Sequence, residues 1–388
     1  MKSSVIVIGA GIGGLAAALG LLRAGQKVRV FEQVGNPTEV GAGLSITPNA
    51  GKALRSLGLG DALADIGNRP PAGSIRHFAT GETLVTLPQE HSRERYGIPL
   101  YHVHRADLHA SLLQAVRAED RGCLTMGVAL RALESRSDGV AAVFADGTRC
   151  EADWLVGADG IHSTTRAALF GADRPNFTGY VAWRGLIPGD LVPPDLLEPP
   201  LCMTVGPRRM LMRYPLRRGA LVNFVAIARR AAWMEEGWSV RSELSELLEE
   251  FADFEAHSLR LLALTPAERL FKWGLFDRDT LPGWTRGRAT LLGDAAHPMP
   301  PFTGQGAVMA LEDAAVLGRI VSLARDPDEV LRRYAQARQS RVDAALEMSR
   351  SRAALYFADD PWQQVKALGA GMAELRTLYE YDAGSVTV

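Results

Sequence analysis

Apolar residues gather first in two short segments near the N-terminus. Val5–Ile8 leads into Gly9-Ala10-Gly11-Ile12-Gly13-Gly14. A helix-compatible stretch then continues to about Ala24, Gly25 stops it, and Val28–Phe31 forms a second run that ends on Glu32. An unbroken apolar run such as Val5–Ile8 suits a strand buried in a parallel sheet, so this segment predicts strand, tight turn, helix, strand. Pro48-Asn49 opens another helix, and "PLYHVHRADLHASLLQAV" predicts a strand ending near Arg105 and a helix from about Ala106. Three short strands follow, at Val128–Leu133, Gly139–Phe144 and Arg149–Val156, with Ser-Asp-Gly and Ala-Asp-Gly as turns.

From about residue 176 to 276 the pattern changes to alternating, aromatic-rich segments, which predicts an antiparallel sheet in a second domain. One helix, roughly Val240–Phe254, interrupts it, and a leucine-rich segment, Ala256–Arg269, carries a Thr-Pro break. Ala289–Leu292 predicts one more buried strand. After the loop "GDAAHPMPPFTGQG" a helix begins near Gln305 or Gly306, with Val308, Leu311, Ala315 and Leu317 on its apolar side and Glu312-Asp313 solvated or paired. The C-terminal stretch predicts outer helices that bury Trp362 and Leu378, whereas Trp183 and Phe224 have the character of core residues.

The glycines and acids of the first segment point to chemistry. Gly9, Gly11 and Gly14 form G-x-G-x-x-G between a strand and a helix. The first permits the turn, the second lets the backbone approach a pyrophosphate, and the third lets helix and strand pack closely. The helix N-terminus attracts the diphosphate, and Glu32 can accept hydrogen bonds from a ribose diol. A dinucleotide is therefore predicted. Glu32 disfavours a 2′-phosphate here, which leaves FAD or NAD. Gly41 and Gly43 suggest backbone lying close to something. Arg105, at a strand-to-helix junction, suits either a phosphate or a salt bridge with Asp107. Asp159-Gly160 ends a strand where ligands gather in open α/β sheets, although such turns also occur without a ligand.

Composition narrows the class. With 388 residues the chain is long for one simple core. Hydrophobic residues at 47%, charged residues at 22% and a net charge of −1 describe an ordinary enzyme with no polyelectrolyte pull towards nucleic acid. No apolar run reaches the roughly 18 residues of a membrane helix, and the N-terminus lacks the form of a signal peptide. Three cysteines without CxxC spacing suggest neither a disulfide framework nor a metal site, and fit a cytoplasmic protein.

Taken together, "GAGIGG", "RADL", "GADGIHS" and "GDAAHPMPPFTGQG" resemble the motif set of the single-component flavin-dependent aromatic monooxygenases, the p-hydroxybenzoate and salicylate hydroxylase group. The match runs from about residue 5 to 345, nearest the 6-hydroxynicotinate and urate hydroxylase types. The resemblance implies an α/β fold in which a Rossmann-type FAD-binding domain (1–72, 100–175 and 277–345) carries an inserted antiparallel substrate domain (73–99 and 176–276) and C-terminal helices (346–388). It implies FAD as cofactor, NADH or NADPH and O₂ as co-substrates, and a small aromatic substrate hydroxylated through a flavin C4a-hydroperoxide. An epoxidase or other non-aromatic oxygenase, and an FAD dehydrogenase without oxygen transfer, are the alternatives. A monomer or homodimer is expected.

The resemblance also assigns residues. Asp294 would bond the ribityl chain, and the loop through Pro298, Gly304, Gln305, Gly306 and Ala307 would pass beside the isoalloxazine. Gly43, Arg105 and Asp159 join Gly9, Gly11, Gly14 and Glu32 as FAD contacts. Gln33 stands where many relatives carry a basic residue. For the substrate, Ser45 occupies the position of a histidine in the 6-hydroxynicotinate type, a replacement unable to serve as base unaided. Arg209 matches an arginine of the urate type, whose loop acid is missing from "PPF". Tyr214, Arg213 and His297 are the candidate catalytic residues, with Ser45, Arg184, Arg209, Pro301 and Phe302 as further pocket candidates.

Overall fold

The computed structural model describes residues 3–36, 42–89, 92–136, 138–233, 240–368 and 373–388; Gly41 lies outside them. The glycine-turn segment forms strand Ser4–Ile8, helix Ile12–Arg23 and strand Lys27–Glu32. Ser4–Ile8 lies inside a six-stranded sheet, parallel to Lys27–Glu32 on one side and to Trp154–Gly157 on the other. Ala289–Leu291 continues the parallel set beyond Trp154–Gly157. Strand order therefore reverses at the first strand, and the carboxyl ends of these four strands meet at one edge of the sheet. Ligands in open α/β sheets bind at such an edge.

Two expected elements divide differently. Arg149–Val156 is two strands: Arg149–Ala152 pairs in a small antiparallel sheet, and Trp154–Gly157 enters the parallel one. Asp153 makes the break, because its carboxylate accepts hydrogen bonds from the backbone N–H and hydroxyl of Ser4 (2.6 and 2.9 Å). The predicted helix Val240–Phe254 contracts to Leu244–Glu250, preceded by an edge strand, Val240–Arg241.

The middle of the chain builds an eight-stranded sheet. Its order is Val240–Arg241, Leu270–Asp277, Asn176–Pro188, Leu221–Arg229, Arg209–Leu216, Leu201–Gly206, Ala72–His77, Thr83–Pro88. Side chains alternate across it. One face packs Trp183, Leu211, Phe224 and Phe251 under the helices Leu244–Glu250 and Ala256–Ala263. The other face carries Ala182, Met203, Met210, Ile227 and Trp273, and packs on Phe302 of the loop that follows Ala289–Leu291. That second face roofs the edge where the parallel strands end.

Helix Gly306–Leu323 buries its charged pair as well as its apolar side. Glu312 and Asp313 are fully buried and paired with arginines of the long helix Pro327–Tyr356, so they are not solvated. Leu378 is buried and Trp362 only partly so.

Candidate active site

At the first turn, Gly9 adopts φ +98°, a region that favours glycine. A Cβ on Gly14 would stand 2.0 Å from the Gly9 carbonyl oxygen, so helix and strand pack too closely for any side chain. Around Gly11 the opposite holds: a Cβ there meets nothing within 4 Å. Gly11 is the N-cap of Ile12–Arg23, where no side chain caps the helix and no acid lies in the first turn. Its N–H groups thus face open space with their positive end uncompensated, which suits a diphosphate.

Glu32 closes the turn from the second strand. Its carboxylate accepts from the backbone N–H of Ala10 (2.7 Å) and of Val34 (2.9 Å), which fixes the acid and leaves further acceptor capacity. Asp159 is turned inward. It accepts from Ser163 Oγ (2.6 Å) and from the N–H and hydroxyl of Thr165, and so holds its own loop against the Gly9 turn. Asp107, the alternative partner of Arg105, is occupied by a two-pronged pair with Arg217 (2.8 and 2.6 Å). The positive charge of Arg105 acts instead on Asp294.

Asp294 is accessible at the carboxyl edge of the parallel strands, with His297 and Arg105 near it. The surrounding protein pushes its carboxyl above the ordinary range, and the charges of His297 and Arg105 only partly offset this. Beyond it Pro298 is buried, Pro301 exposed, and Gly304, in the left-handed region at φ +67°, ends a short turn. The side chain of Gln305 points inward to Asn49, Thr47 and the Thr303 carbonyl, leaving helix Gly306–Leu323 uncapped and without acid in its first turn. Gly306 and Ala307 remain partly accessible. Two uncapped helix starts, a bare loop and an accessible acid at the strand ends therefore fit a flavin dinucleotide. When bound, FAD supplies the redox and oxygen chemistry that side chains lack.

The match to the family described as FAD binding domain spans residues 2–349. The chain belongs to the family of FAD-dependent aromatic monooxygenases. The 3-amino-4-hydroxybenzoate 2-monooxygenase PtmB3 of Streptomyces platensis is 41% identical over 376 residues, 96% of this chain and 93% of that protein. The 6-hydroxynicotinate 3-monooxygenase of Pseudomonas fluorescens is 37% identical over 319 residues, 81% of each. Among solved structures, Klebsiella pneumoniae HpxO complexed with FAD and uric acid superposes with a TM-score of 0.88 at 28% identity, covering 98% of this chain and 96% of that one. This aromatic monooxygenase accordingly uses FAD, with NAD(P)H and O₂ as co-substrates, and acts on a small aromatic compound. Neither the epoxidase nor the dehydrogenase alternative is favoured.

The expected pocket residues do not all lie on the sheet face that packs on Phe302. On strand Arg209–Leu216, Met210 packs on the flavin side and Leu211 in the opposite core. Alternation then sends Tyr214 one way and Arg209 and Arg213 the other. Arg213 donates to the carbonyls of Pro199 (2.9 Å) and Pro200. Arg209 bonds Asp253 (2.7 Å) and the Glu250 carbonyl, on the far side of the sheet. Neither arginine can act at the flavin from there. His297 is buried with Nε2 2.6 Å from Asp313 Oδ2, which gives it a part in holding the loop, while its Nδ1 has no hydrogen-bond partner. Phe302 packs edge-on against Tyr180 and Phe357.

On the flavin-facing side, Arg184 lies over the Trp273 ring at 4.5 Å. Tyr214 sits so close to Gly43 that a Cβ there would stand 2.6 Å from its hydroxyl oxygen. Ser45 lies beside that hydroxyl. Asn223 accepts from the Gly43 N–H (2.8 Å), while its Nδ2 is buried without a partner. His102, absent from the sequence-based candidates, joins this group. It pairs in register with Ser45, stacks on Tyr214 with ring centres 4.0 Å apart, and places Nδ1 3.2 Å from Ser45 Oγ.

Proposed function

We propose that this monooxygenase hydroxylates a small aromatic acid bearing a ring hydroxyl group, with 3-amino-4-hydroxybenzoate the first compound to test. The observation that carries this reading is the mixed face above the flavin loop. Arg184 supplies positive charge for a carboxylate, apolar Met210, Ile227 and Phe302 suit a ring, and the Ser45–Tyr214–Asn223 cluster offers polar partners for a hydroxyl or amino group. Three relatives named for 3-amino-4-hydroxybenzoate, at 36–41% identity, support the same choice.

In this reading residues 1–72, 100–175 and 277–345 hold FAD, and 73–99 with 176–276 roof the substrate. The loop through Pro298–Ala307 and the sheet exclude water from the reacting ring. The start of helix Gly306–Leu323 stabilises negative charge on the reduced cofactor by about 0.3–1 kcal/mol. The protein works in the cytoplasm as a monomer or homodimer, in keeping with three buried free cysteines; among the described residues no helix is long and apolar enough to cross a membrane.

The test is a screen of 3-amino-4-hydroxybenzoate against hydroxybenzoates, hydroxypyridines and purines for stimulation of NAD(P)H oxidation, with labelled O₂. The expected result is stimulation by the aminohydroxybenzoate and one labelled oxygen atom in its product. Stimulation only by a purine or a hydroxypyridine replaces the substrate assignment. Tyr214→Phe is expected to slow the stimulated reaction by about tenfold, equivalent to about 1.4 kcal/mol. Unchanged kinetics removes Tyr214 from the site.

A further inference from the structure

The peptide between Ala10 and Gly11 stands at the centre of the glycine turn, and its two polar ends face opposite ways. Among the described residues the one cis bond is Glu198–Pro199, so this peptide is trans, and its C=O and N–H point in opposite directions. The carbonyl points into the protein. Ala10 is buried, and its oxygen lies 2.7 Å from His109 Nε2. A carbonyl oxygen only accepts, so Nε2 carries the proton and donates it. The N–H belongs to Gly11, which is partly accessible, and among the described residues it has no acceptor. It therefore lies on the side where the helix start is open.

His109 reaches the turn because of its place on a helix. It lies one turn after Arg105 on helix Arg105–Glu119, so the two share a face. Leu108, Leu112 and Val116 anchor that helix in the core, where it packs against Ile12–Arg23. The preceding peptide is held by a second side chain, since the Ala10 N–H donates to Glu32 (2.7 Å). Two consecutive peptides of the turn are thus fixed from two different elements, one by an acceptor and the other by a donor. The second clamp has a physical purpose. Gly11 tolerates φ of either sign, so the backbone alone does little to stop the Ala10–Gly11 peptide from rotating. Rotated, it would aim a carbonyl oxygen at the diphosphate and turn a donor away from it.

From this arrangement we infer that His109 is a positioning residue of the cofactor site: by holding the Ala10 carbonyl it keeps the Gly11 N–H aimed at the FAD diphosphate. The inference rests on the placement of that diphosphate at the glycine turn. His109 acts through the peptide, and its contribution is to keep the binding-competent orientation populated before FAD arrives. Affinity falls in proportion to that population.

The experiment uses full-length protein freed of FAD, as wild type, His109→Leu and His109→Gln. FAD is titrated in near neutral pH, and the dissociation constant is read from quenching of flavin fluorescence; melting temperature is read on the same FAD-free samples. Glutamine places its amide nitrogen as many bonds from the backbone as Nε2, so it can donate to the same oxygen. Leucine fills part of the space and donates nothing. The expected result is a dissociation constant about tenfold higher for His109→Leu and within about threefold of wild type for His109→Gln. The constant belongs to folded protein, so a loss of stability alone does not move it. His109→Leu that binds FAD as wild type does, whatever its melting temperature, overturns the inference, and so does His109→Gln that binds as weakly as the leucine variant. An independent measurement needs no donor-free variant to fold. In protein labelled with ¹⁵N-histidine, the His109 signals, assigned by their loss in His109→Gln, should show a proton on Nε2 with and without FAD. An Nε2 without a proton overturns the clamp. Gly11→Trp separates this inference from the placement it rests on. If that variant keeps stoichiometric flavin, the diphosphate lies elsewhere and both fail; if it loses flavin while His109→Leu binds normally, only the role of His109 falls.

Discussion

Gly11→Trp is expected to fold normally and to purify without yellow colour. Gly11 has extended backbone at φ −70° and ψ −176°, which any residue adopts, and the space beyond its Cα is empty of protein within 4 Å. A side chain can therefore leave the backbone there without strain, and a bulky indole covers the helix N–H groups that receive the diphosphate. FAD affinity should fall by at least about 100-fold, or about 2.8 kcal/mol. Ligand that binds only the folded state raises its stability, so added FAD should raise the melting temperature of wild type and leave the variant's unchanged. Far-UV circular dichroism should match. Gly14→Ala provides the contrast: its Cβ would collide with the Gly9 carbonyl, so it should lose stability with or without FAD. A Gly11→Trp protein that retains stoichiometric flavin would remove the diphosphate from this turn.

The features behind that prediction are local in sequence, which is why they were legible. A glycine turn between an apolar run and a helix, and an acid at the end of the next strand, lie within about thirty residues, and their spacing carries the geometry. Asp294 and the bare loop are conspicuous in the sequence too, but their roles there come from the family resemblance and not from spacing. Substrate residues depend on relations that spacing does not encode. Arg213 and Tyr214 were both candidates, yet adjacent residues on a strand face opposite ways, and only the packing of Met210 and Leu211 decides which face meets the flavin. His102 becomes relevant only because strand Tyr101–His104 pairs with Gly43–Ile46 in the register that sets it opposite Ser45. A shift of one residue would turn it to the other face. Asp153 breaks a strand through a contact with Ser4, 149 positions away.

The helix after the flavin loop shows the same limit in its charges. Sequence leaves Glu312-Asp313 either solvated or paired, and the long C-terminal helix decides it by delivering Arg338 and Arg341. Arg338, fully buried, bonds Asp313 (2.7 Å) and Glu312 (2.8 Å), and Arg341 grips Glu312 with two contacts of 2.7 Å. Asp313 also meets His297 and the Gly293 N–H (3.2 Å), so one carboxylate ties the flavin loop to two helices.

Arg338→Met should therefore be the most damaging single change outside the cofactor site. The methionine roughly fills the space, but it leaves Asp313 with His297 as its one side-chain partner and Glu312 dependent on Arg341 and Asn49. Removing one partner of a buried ion pair typically costs about 3–5 kcal/mol, a large share of the roughly 5–15 kcal/mol of a folded domain. Urea or thermal unfolding reads that loss directly. Acid unfolding gives an independent reading. Burial raises the Asp313 carboxyl, yet His297 and Arg338 outweigh it and hold the group below the ordinary range. Stability from a depressed carboxyl is complete above its unfolded value, about 3.9, and is lost as pH falls through the folded value. Without Arg338 that folded value rises, so acid unfolding should begin at higher pH than in wild type. Adding Asp313→Asn removes the stranded charge, and the double variant should recover part of the loss, a non-additivity expected of residues in direct contact. If Arg338→Met unfolds at the wild-type urea concentration, the buried network does not secure the helix behind the flavin loop. Flavin retention in this variant should fall with stability, because the Gly293 N–H that anchors the Asp294 turn bonds the same carboxylate.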